Sequence, residues 1–231
     1  MNANYASVTN ALFIVSEEGY WGEECITPLE RLTEAGVEIT VATPTGGPPQ
    51  VDERSIDPEQ VDPQVAERCR EVDETDDRLA DPEPIAAVDA AEYDAVVFPG
   101  GHGTVWDINQ DGHARGALRT AIEGDGVALV VCHAVGLLAF ARDSEGDFIV
   151  DGRPVTGFPD AWEEGIVDGD DRLPDGRKLP YWVEPEVRAA GGEWDAELDR
   201  ETSVTVDGDL ITARGPGSSA AAAETLLDHL E

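Results

Sequence analysis

Cys132 and His133 stand side by side at the end of V-A-L-V-V, residues 127–131. A thiol beside an imidazole is a pairing that nucleophilic catalysis uses. The ring takes the thiol proton, and the sulfur attacks an electron-poor carbon. The apolar run of 127–131, preceded by Gly126, fits a strand buried on both faces, and the apolar stretch after it reads as a helix. Cys132 is therefore expected where a parallel strand hands over to a helix, the edge at which open α/β sheets place ligand sites. Free N–H groups at a helix start favour a thiolate there. A buried structural cysteine is the competing reading, since free cysteine packs readily in cores.

Three other segments can converge on that pair. In E-E-G-Y-W-G-E-E-C, residues 17–25, Glu24 falls at a helix start just after an expected strand. In P-G-G-H-G-T-V-W-D, residues 99–107, Gly100 and Gly101 let backbone approach a ligand closely, and their N–H groups can hold an oxyanion. In T-G-F-P-D-A-W-E-E, residues 156–164, carboxylates can orient His133. Trp21, Trp106 and Trp162 lie one in each segment and can wall an apolar pocket mouth. His102 reads as a wall of the site, and no ligand spacing supports a metal. Cys25 is expected to face the core, and Cys69, in an acidic segment, the surface. G-H-G-T and G-D-G are not phosphate loops, because no lysine follows and no G-x-G-x-x-G opens a helix.

The elements that must position these residues follow from periodicity. Residues 11–16, 37–43 and 93–98 read as strands, and Glu23–Ala35 and His113–Glu123 as helices, the first stopped by Gly36. Residues 44–84, rich in Pro, Asp and Glu, are expected to be irregular with a surface helix over Val61–Val72. Asp-Gly turns suggest hairpins at 148–156 and 203–213. Helices are expected near 160–167 and 181–190, and an Ala-rich helix over Ser218–Leu230. The alternation implies a mostly parallel sheet between helices, with added hairpins, in one domain over residues 1–231.

The chain has 231 residues, enough for one sizeable core, and a net charge of -35 from 50 acidic against 15 basic residues. Lys178 is the only lysine. Such a surface repels nucleic acid and anionic membranes, so neither is an expected partner. Acid spread over the whole length points to adaptation to a salty cytoplasm, where the Debye length shrinks to ~3 Å at molar salt. The opening residues 1–10 lack the basic and apolar regions of a signal peptide, and no apolar run reaches membrane-span length, so a cytoplasmic location is expected. Three widely spaced cysteines make neither a disulfide framework nor a zinc pattern.

Several segments together resemble the PfpI/ThiJ superfamily, and within it the glyoxalase III and stress-chaperone branch. They are A-T-P-T-G-G-P-P at 42–49, F-P-G-G-H-G-T-V-W-D at 98–107 and V-C-H at 131–133. V-T-G-F followed by Glu163 and Glu164, and D-G-D-L-I-T-A-R-G-P-G-S-S at 207–219, complete the set. The resemblance implies a flavodoxin-like α/β sandwich with Cys132 as nucleophile and His133 as its partner. It sets Glu24, aligned by its place four residues before Pro28, beside the thiol. It makes Glu163 or Glu164 the acid that orients His133, with Glu163 preferred, and the backbone N–H groups of Gly101 and His133 the oxyanion donors. The implied activity is cofactor-independent conversion of methylglyoxal or a similar 2-oxoaldehyde to a 2-hydroxy acid, D-lactate from methylglyoxal, by a homodimer. A holding chaperone, a deglycase and a cysteine hydrolase are the alternatives.

The chain also departs from the branch. C-H-A-V replaces the usual Cys-His-Gly-Pro, so Ala134 and Val135 are expected to narrow the space beside the thiol. G-P-G-S-S replaces Asn-Pro-Ala-Ser-Ser, which removes an amide at Gly215 and leaves Arg214 as a new charge nearby. An ionised Glu24 would raise the thiol pKa, so the carboxyl must be protonated to support sulfur chemistry, and the pair must titrate as a unit.

Overall fold

The computed structural model describes residues 9–197 and 202–231; the stretch 1–8, within the opening residues inspected for a signal peptide, lies outside them. Among the described residues, seven strands form one sheet. They are β1 (Asn10–Ile14), β2 (Glu38–Thr43), β3 (Glu83–Pro84), β4 (Ala95–Phe98), β5 (Val127–Val131), β8 (Val204–Asp207) and β9 (Leu210–Ala213). Across the sheet their order is β3-β2-β1-β4-β5-β9-β8. All neighbours run parallel except β8 and β9, which form the hairpin expected at 203–213. Two further short strands, β6 (Pro154–Val155) and β7 (Glu193–Trp194), pair in parallel apart from the main sheet.

Side chains alternate between faces along each strand. Leu12, Ile14, Val96, Phe98, Ala128 and Val130 point into one core, which also holds Ala114, Ala117 and Leu118 of α5 (Gly112–Glu123). Ala11, Phe13, Ala95, Val97, Leu129 and Val131 point into the other. There they meet Ile26, Leu29 and Leu32 of α1 (Gly22–Glu34) and Ala222, Ala223 and Leu226 of α8 (Ser219–Leu230). Helices thus cover both faces of the sheet, as the α/β sandwich reading requires. The remaining helices are α2 (Pro63–Thr75), α3 (Asp77–Ala80), α4 (Thr104–Asp107), α6 (Asp160–Glu163) and α7 (Val183–Ala189). No helix among the described residues is long and apolar enough to cross a membrane.

Three expectations are corrected. Cys132–Ala139 winds as 3-10 turns and not as an α-helix. Asn109 Nδ2 donates to the His133 carbonyl at 2.9 Å, taking an acceptor that a regular α-helix would use internally. Residues 148–156 are not a hairpin: β6 pairs instead with β7, nearly forty residues on, while Arg142 bridges Phe148. Cys69 is not on the surface; it is fully buried on the inner face of α2.

Candidate active site

The site assembles at the carboxyl ends of the parallel strands. The turn after β1 meets the turn after β4 through two backbone bonds: Trp21 N–H donates to Gly100 O at 3.0 Å, and Gly103 N–H to Gly19 O at 2.9 Å. This contact leaves no room for side chains. A Cβ on Gly100 would collide with Glu24 Oε2 and lie 2.6 Å from Cys132 Cβ, and Gly101 has φ +110°. Cys132 itself sits at φ 58°, a left-handed conformation rare outside glycine. Such a backbone turn ends a strand abruptly and presents the side chain at the sheet edge, the geometry of a nucleophile elbow.

Cys132 Sγ lies 3.3 Å from His133 Nδ1, and His133 Nε2 lies 2.6 Å from Glu163 Oε2. The carboxylate on His133 is therefore Glu163; Glu164, the next residue, is exposed. Glu163 also holds His102, whose Nε2 is 2.9 Å from Oε1. Burial alone would raise the Glu163 carboxyl, but the two imidazole hydrogen bonds outweigh it and hold it well below the usual range. Phe158 stacks on His133 at 4.5 Å between ring centroids and fixes the ring from its free face.

Glu24, in the first turn of α1, is fully buried beside the sulfur. Neither carboxyl oxygen has a hydrogen-bond partner of good geometry among the described residues. Burial pushes this carboxyl up to about 8, and the adjacent Cys132 thiol and Gly100 N–H offset that only in part. Burial, followed by Glu24, also pushes the Cys132 thiol well above its ordinary value, while the backbone N–H groups of His133 and Gly101 pull the other way. Burial and the Glu24 carboxyl thus oppose the thiolate expected of a helix start. Those same two N–H groups are turned toward the sulfur, where the oxygen of a carbonyl under attack would gather charge.

A cavity of about 90 Å³ adjoins the sulfur, lined by Trp21, Glu24, Gly101, His102, Cys132, His133, Phe158, Ile166 and Pro216. Trp21 and His102 are among the lining residues. Trp106 is not: Arg177 lies 4.3 Å over its ring and α4 carries it away from the cavity. Ala134 and Val135 do not narrow the space beside the thiol either. Both are buried in the core, and Val135 packs toward Gly157. Gly215, where an amide is lost, does lie beside the site: a Cβ there would stand 3.7 Å from Glu24 Oε1 and 3.9 Å from Cys132 Sγ. Arg214 brings no charge to the cavity lining; its guanidinium is fully buried against Asp195 and the Glu197 carbonyl. Sequence reasoning missed Ile166, Pro216 and the Arg54 contact to His102. Phe158 was within reach, since it follows Gly157 in a segment already singled out.

His102, His133 and Glu163 bring three potential metal-ligand atoms within 4.8 Å of one another. Those atoms already bond one another, and Arg54 Nη2 reaches His102 Nδ1 at 3.0 Å. An arginine can only donate, so Nδ1 accepts and the His102 proton sits on Nε2, facing the carboxylate. A metal ion would have to displace that proton, and the set is better matched to hydrogen bonding than to coordination.

A cysteine, a histidine and a carboxylate in sequence at the carboxyl edge of a parallel sheet define a class of α/β proteins with a nucleophile elbow. Residues 9–229 match the DJ-1/PfpI family, and the chain belongs to that family. The protein/nucleic acid deglycase HchA of Escherichia coli strain 55989 is 33% identical over 147 residues, covering 60% of this chain and 48% of that one. Its namesake from Staphylococcus aureus strain MRSA252 is 29% identical over 148 residues, covering 62% of this chain and 49% of that one. The chain thus spans about half the length of the curated relatives it matches. Among solved structures, glyoxalase III of Candida albicans superposes with a TM-score of 0.81 at 23% identity, covering 96% of this chain and 98% of that one. The rapid encystment protein of Francisella tularensis superposes with a TM-score of 0.83 at 23% identity, covering 97% and 100%. At such identities these two likenesses speak to the fold.

Proposed function

We propose that this protein converts methylglyoxal, or a similarly small 2-oxoaldehyde, to the 2-hydroxy acid without glutathione. The observation that carries the reading is a buried cysteine and a buried carboxyl facing one small, apolar-walled cavity, with burial favouring the protonated carboxyl. His133 Nδ1 takes the thiol proton as Sγ bonds to the aldehyde carbon C1, and the Gly101 and His133 N–H groups hold the carbonyl oxygen. Protonation of that oxygen gives a hemithioacetal. Glu24, ionised by giving that proton, removes the hydrogen from C1 as the His133 imidazolium protonates the C2 oxygen, which gives an enediol. Glu24 then returns the hydrogen to C2 as His133 takes the C1 hydroxyl proton, leaving a thioester. Water cleaves the thioester and restores Cys132. The net change adds one water and is redox-neutral, so the steps call for no cofactor.

The cavity supports a free carbonyl compound over a bulky adduct. At about 90 Å³, it has room for a few heavy atoms, and its lining, among the described residues, contains no arginine or lysine to greet an anionic substrate. A deglycase reading, suggested by the HchA relatives' names, requires an adduct to enter the same space. A holding chaperone needs broad apolar surface, and among the described residues Val206 is the single large hydrophobic side chain that is exposed. A homodimer is part of the proposal and is checked by sizing in solution.

The test is purified protein with methylglyoxal in molar potassium chloride, glutathione absent, with lactate measured. Wild type is expected to form lactate, and Cys132→Ser to lose at least about a thousandfold in turnover, because a serine hydroxyl stays protonated and is the poorer nucleophile. Substantial turnover by Cys132→Ser contradicts the proposal.

A further inference from the structure

His102 lies in the turn between β4 and α4, with its side chain almost fully buried. Its ring centroid is 4.0 Å from that of His133. One nitrogen meets Glu163 and the other meets Arg54. Arg54 is itself held by Asp52 through Nε–Oδ1 at 2.9 Å and Nη2–Oδ2 at 2.5 Å. Asp52 also accepts the Arg54 backbone N–H at 3.0 Å, which anchors the whole pair to its own turn. A chain of contacts therefore runs Asp52–Arg54–His102–Glu163–His133–Cys132, from the half-buried surface to the sulfur.

The direction of that chain is fixed by donors and acceptors. A guanidinium has only donors. His102 Nδ1 must accept from it, so the neutral ring carries its proton on Nε2 and donates to Glu163 Oε1. The opposite tautomer would oppose two N–H groups at Arg54 and two lone pairs at Glu163. Glu163 consequently receives one N–H on each oxygen, from His102 and from His133. That leaves the carboxylate ionised and its Oε2 turned to His133 Nε2, so His133 Nδ1 is free to accept the Cys132 proton.

We propose that His102 is a positioning residue whose tautomer is set by Arg54, and that this pair keeps Glu163 ionised and aimed at His133. The proposal rests on the cysteine–histidine–carboxylate reading of the site. The charged and titratable groups facing His102 are Glu163, His133 and Arg54, with Asp52 behind Arg54. Burial, then His133, with Arg54 adding to both, outweigh Glu163 and push the His102 imidazolium down to about 4. His102 therefore stays neutral at neutral pH and does not compete with a newly protonated His133 for the carboxylate. This is the reverse of a proton relay: Arg54 has no proton to give up, so the chain ends there and holds its shape.

Long-range ¹⁵N–¹H NMR reads the His102 tautomer, and the iodoacetamide alkylation rate of Cys132, followed by peptide mass spectrometry, reads the His133 base without any substrate. Arg54→Met keeps an apolar stem at a partly exposed position and is the primary variant; His102→Leu removes the donor altogether. Wild type is expected to carry the proton on His102 Nε2. Arg54→Met should mix the tautomers. Both variants should slow alkylation and 2-oxoaldehyde turnover by about 10- to 100-fold, taking the range that losing a partner costs a metal-bound histidine as the guide. KM should change little, and Arg54→Lys should recover most of the loss, because it still donates to Nδ1. A wild-type His102 protonated on Nδ1, or wild-type alkylation rates in both Arg54→Met and His102→Leu, overturns the proposal. If the wild-type protein consumes no 2-oxoaldehyde, the proposed reaction fails, while the tautomer and the alkylation rates still decide the place of His102.

Discussion

The pairing of Cys132 with His133 is legible in the sequence because the two are adjacent and follow a five-residue apolar strand. Glu24 is not legible on its own merits. It is one of many glutamates, and only the resemblance singles it out; its burial depends on Gly100, 76 residues away, leaving room for it. The Arg54–His102 contact, between residues 48 apart, leaves no local signal at all. Burial of Glu24 also has a thermodynamic cost that can be measured. Its carboxyl rises from an ordinary 4.5 to about 8 on folding. A raised folded pKa means that the protonated form is favoured in the native state, so its stabilising effect is complete below pH 4.5 and is lost as pH climbs through 8. Glu24→Gln removes that dependence. Its stability relative to wild type is expected to grow steadily between pH 5 and pH 8, by roughly a few kcal/mol at ~1.4 kcal/mol per unit. Denaturant melts across that range check it; parallel curves for the two proteins would contradict the burial argument.

Elements built on long apolar runs can be read from the chain, because burial on both faces or one leaves a pattern in it. β1, β2, β4, β5, α1, α5 and α8 all fall within a few residues of their expected bounds. Elements held by distant partners leave none. β3 and β6 are two residues each and exist only because Thr43 and Trp194 lie alongside them. The Asp151-Gly152 turn signal is real, with Gly152 at φ 71°, yet the strand it feeds pairs elsewhere. Glycine's role also depends on its element. Gly100 is crowded by Glu24 and Cys132, whereas a Cβ added at Gly116, inside α5, would have nothing within 4 Å. The same substitution should therefore act oppositely at the two sites. Gly116→Ala is expected to stabilise by about 0.5–1 kcal/mol, from helix propensity alone. Gly100→Ala should displace the Cys132 turn and cost at least about tenfold in turnover, since a misplacement near 1 Å can cost far more. Melts and kinetics of the two variants check the contrast; an active Gly100→Ala would mean the β4 turn gives way easily.

At the scale of the molecule, a charge of -35 sets how the fold responds to salt. Ion pairs such as Arg31–Glu224 are half-exposed at both ends and worth little, so screening them loses little. The unpaired excess of carboxylates repels itself, and raising salt from 0.1 M to 1 M shortens the Debye length from ~10 Å to ~3 Å. The melting temperature is therefore expected to climb with potassium chloride, by about 2–4 °C for each kcal/mol of relieved repulsion in a chain of this size. A flat or falling curve would remove the case for adaptation to a salty interior. The charge and the fold class are both open to inspection in the sequence, the first from counting and the second from the strand–helix alternation. Which end of the sheet gathers the chemistry follows from topology, while the size and apolar character of the cavity require the packed structure.

Turnover of methylglyoxal by Glu24→Gln beside Glu23→Gln tests the proposed chemistry most directly. The two neighbours sit about 100° apart around α1. Glu24 is buried against the sulfur, and Glu23 is partly exposed with Arg68 nearby. A glutamine amide can still donate to sulfur but cannot carry a proton between C1 and C2. With lactate as the readout in molar salt, Glu24→Gln is expected to lose about 100-fold or more in kcat, on the scale of a general acid–base group, while Glu23→Gln stays near wild type. Full lactate formation by Glu24→Gln would contradict the proton-transfer mechanism, even if Cys132 proved essential.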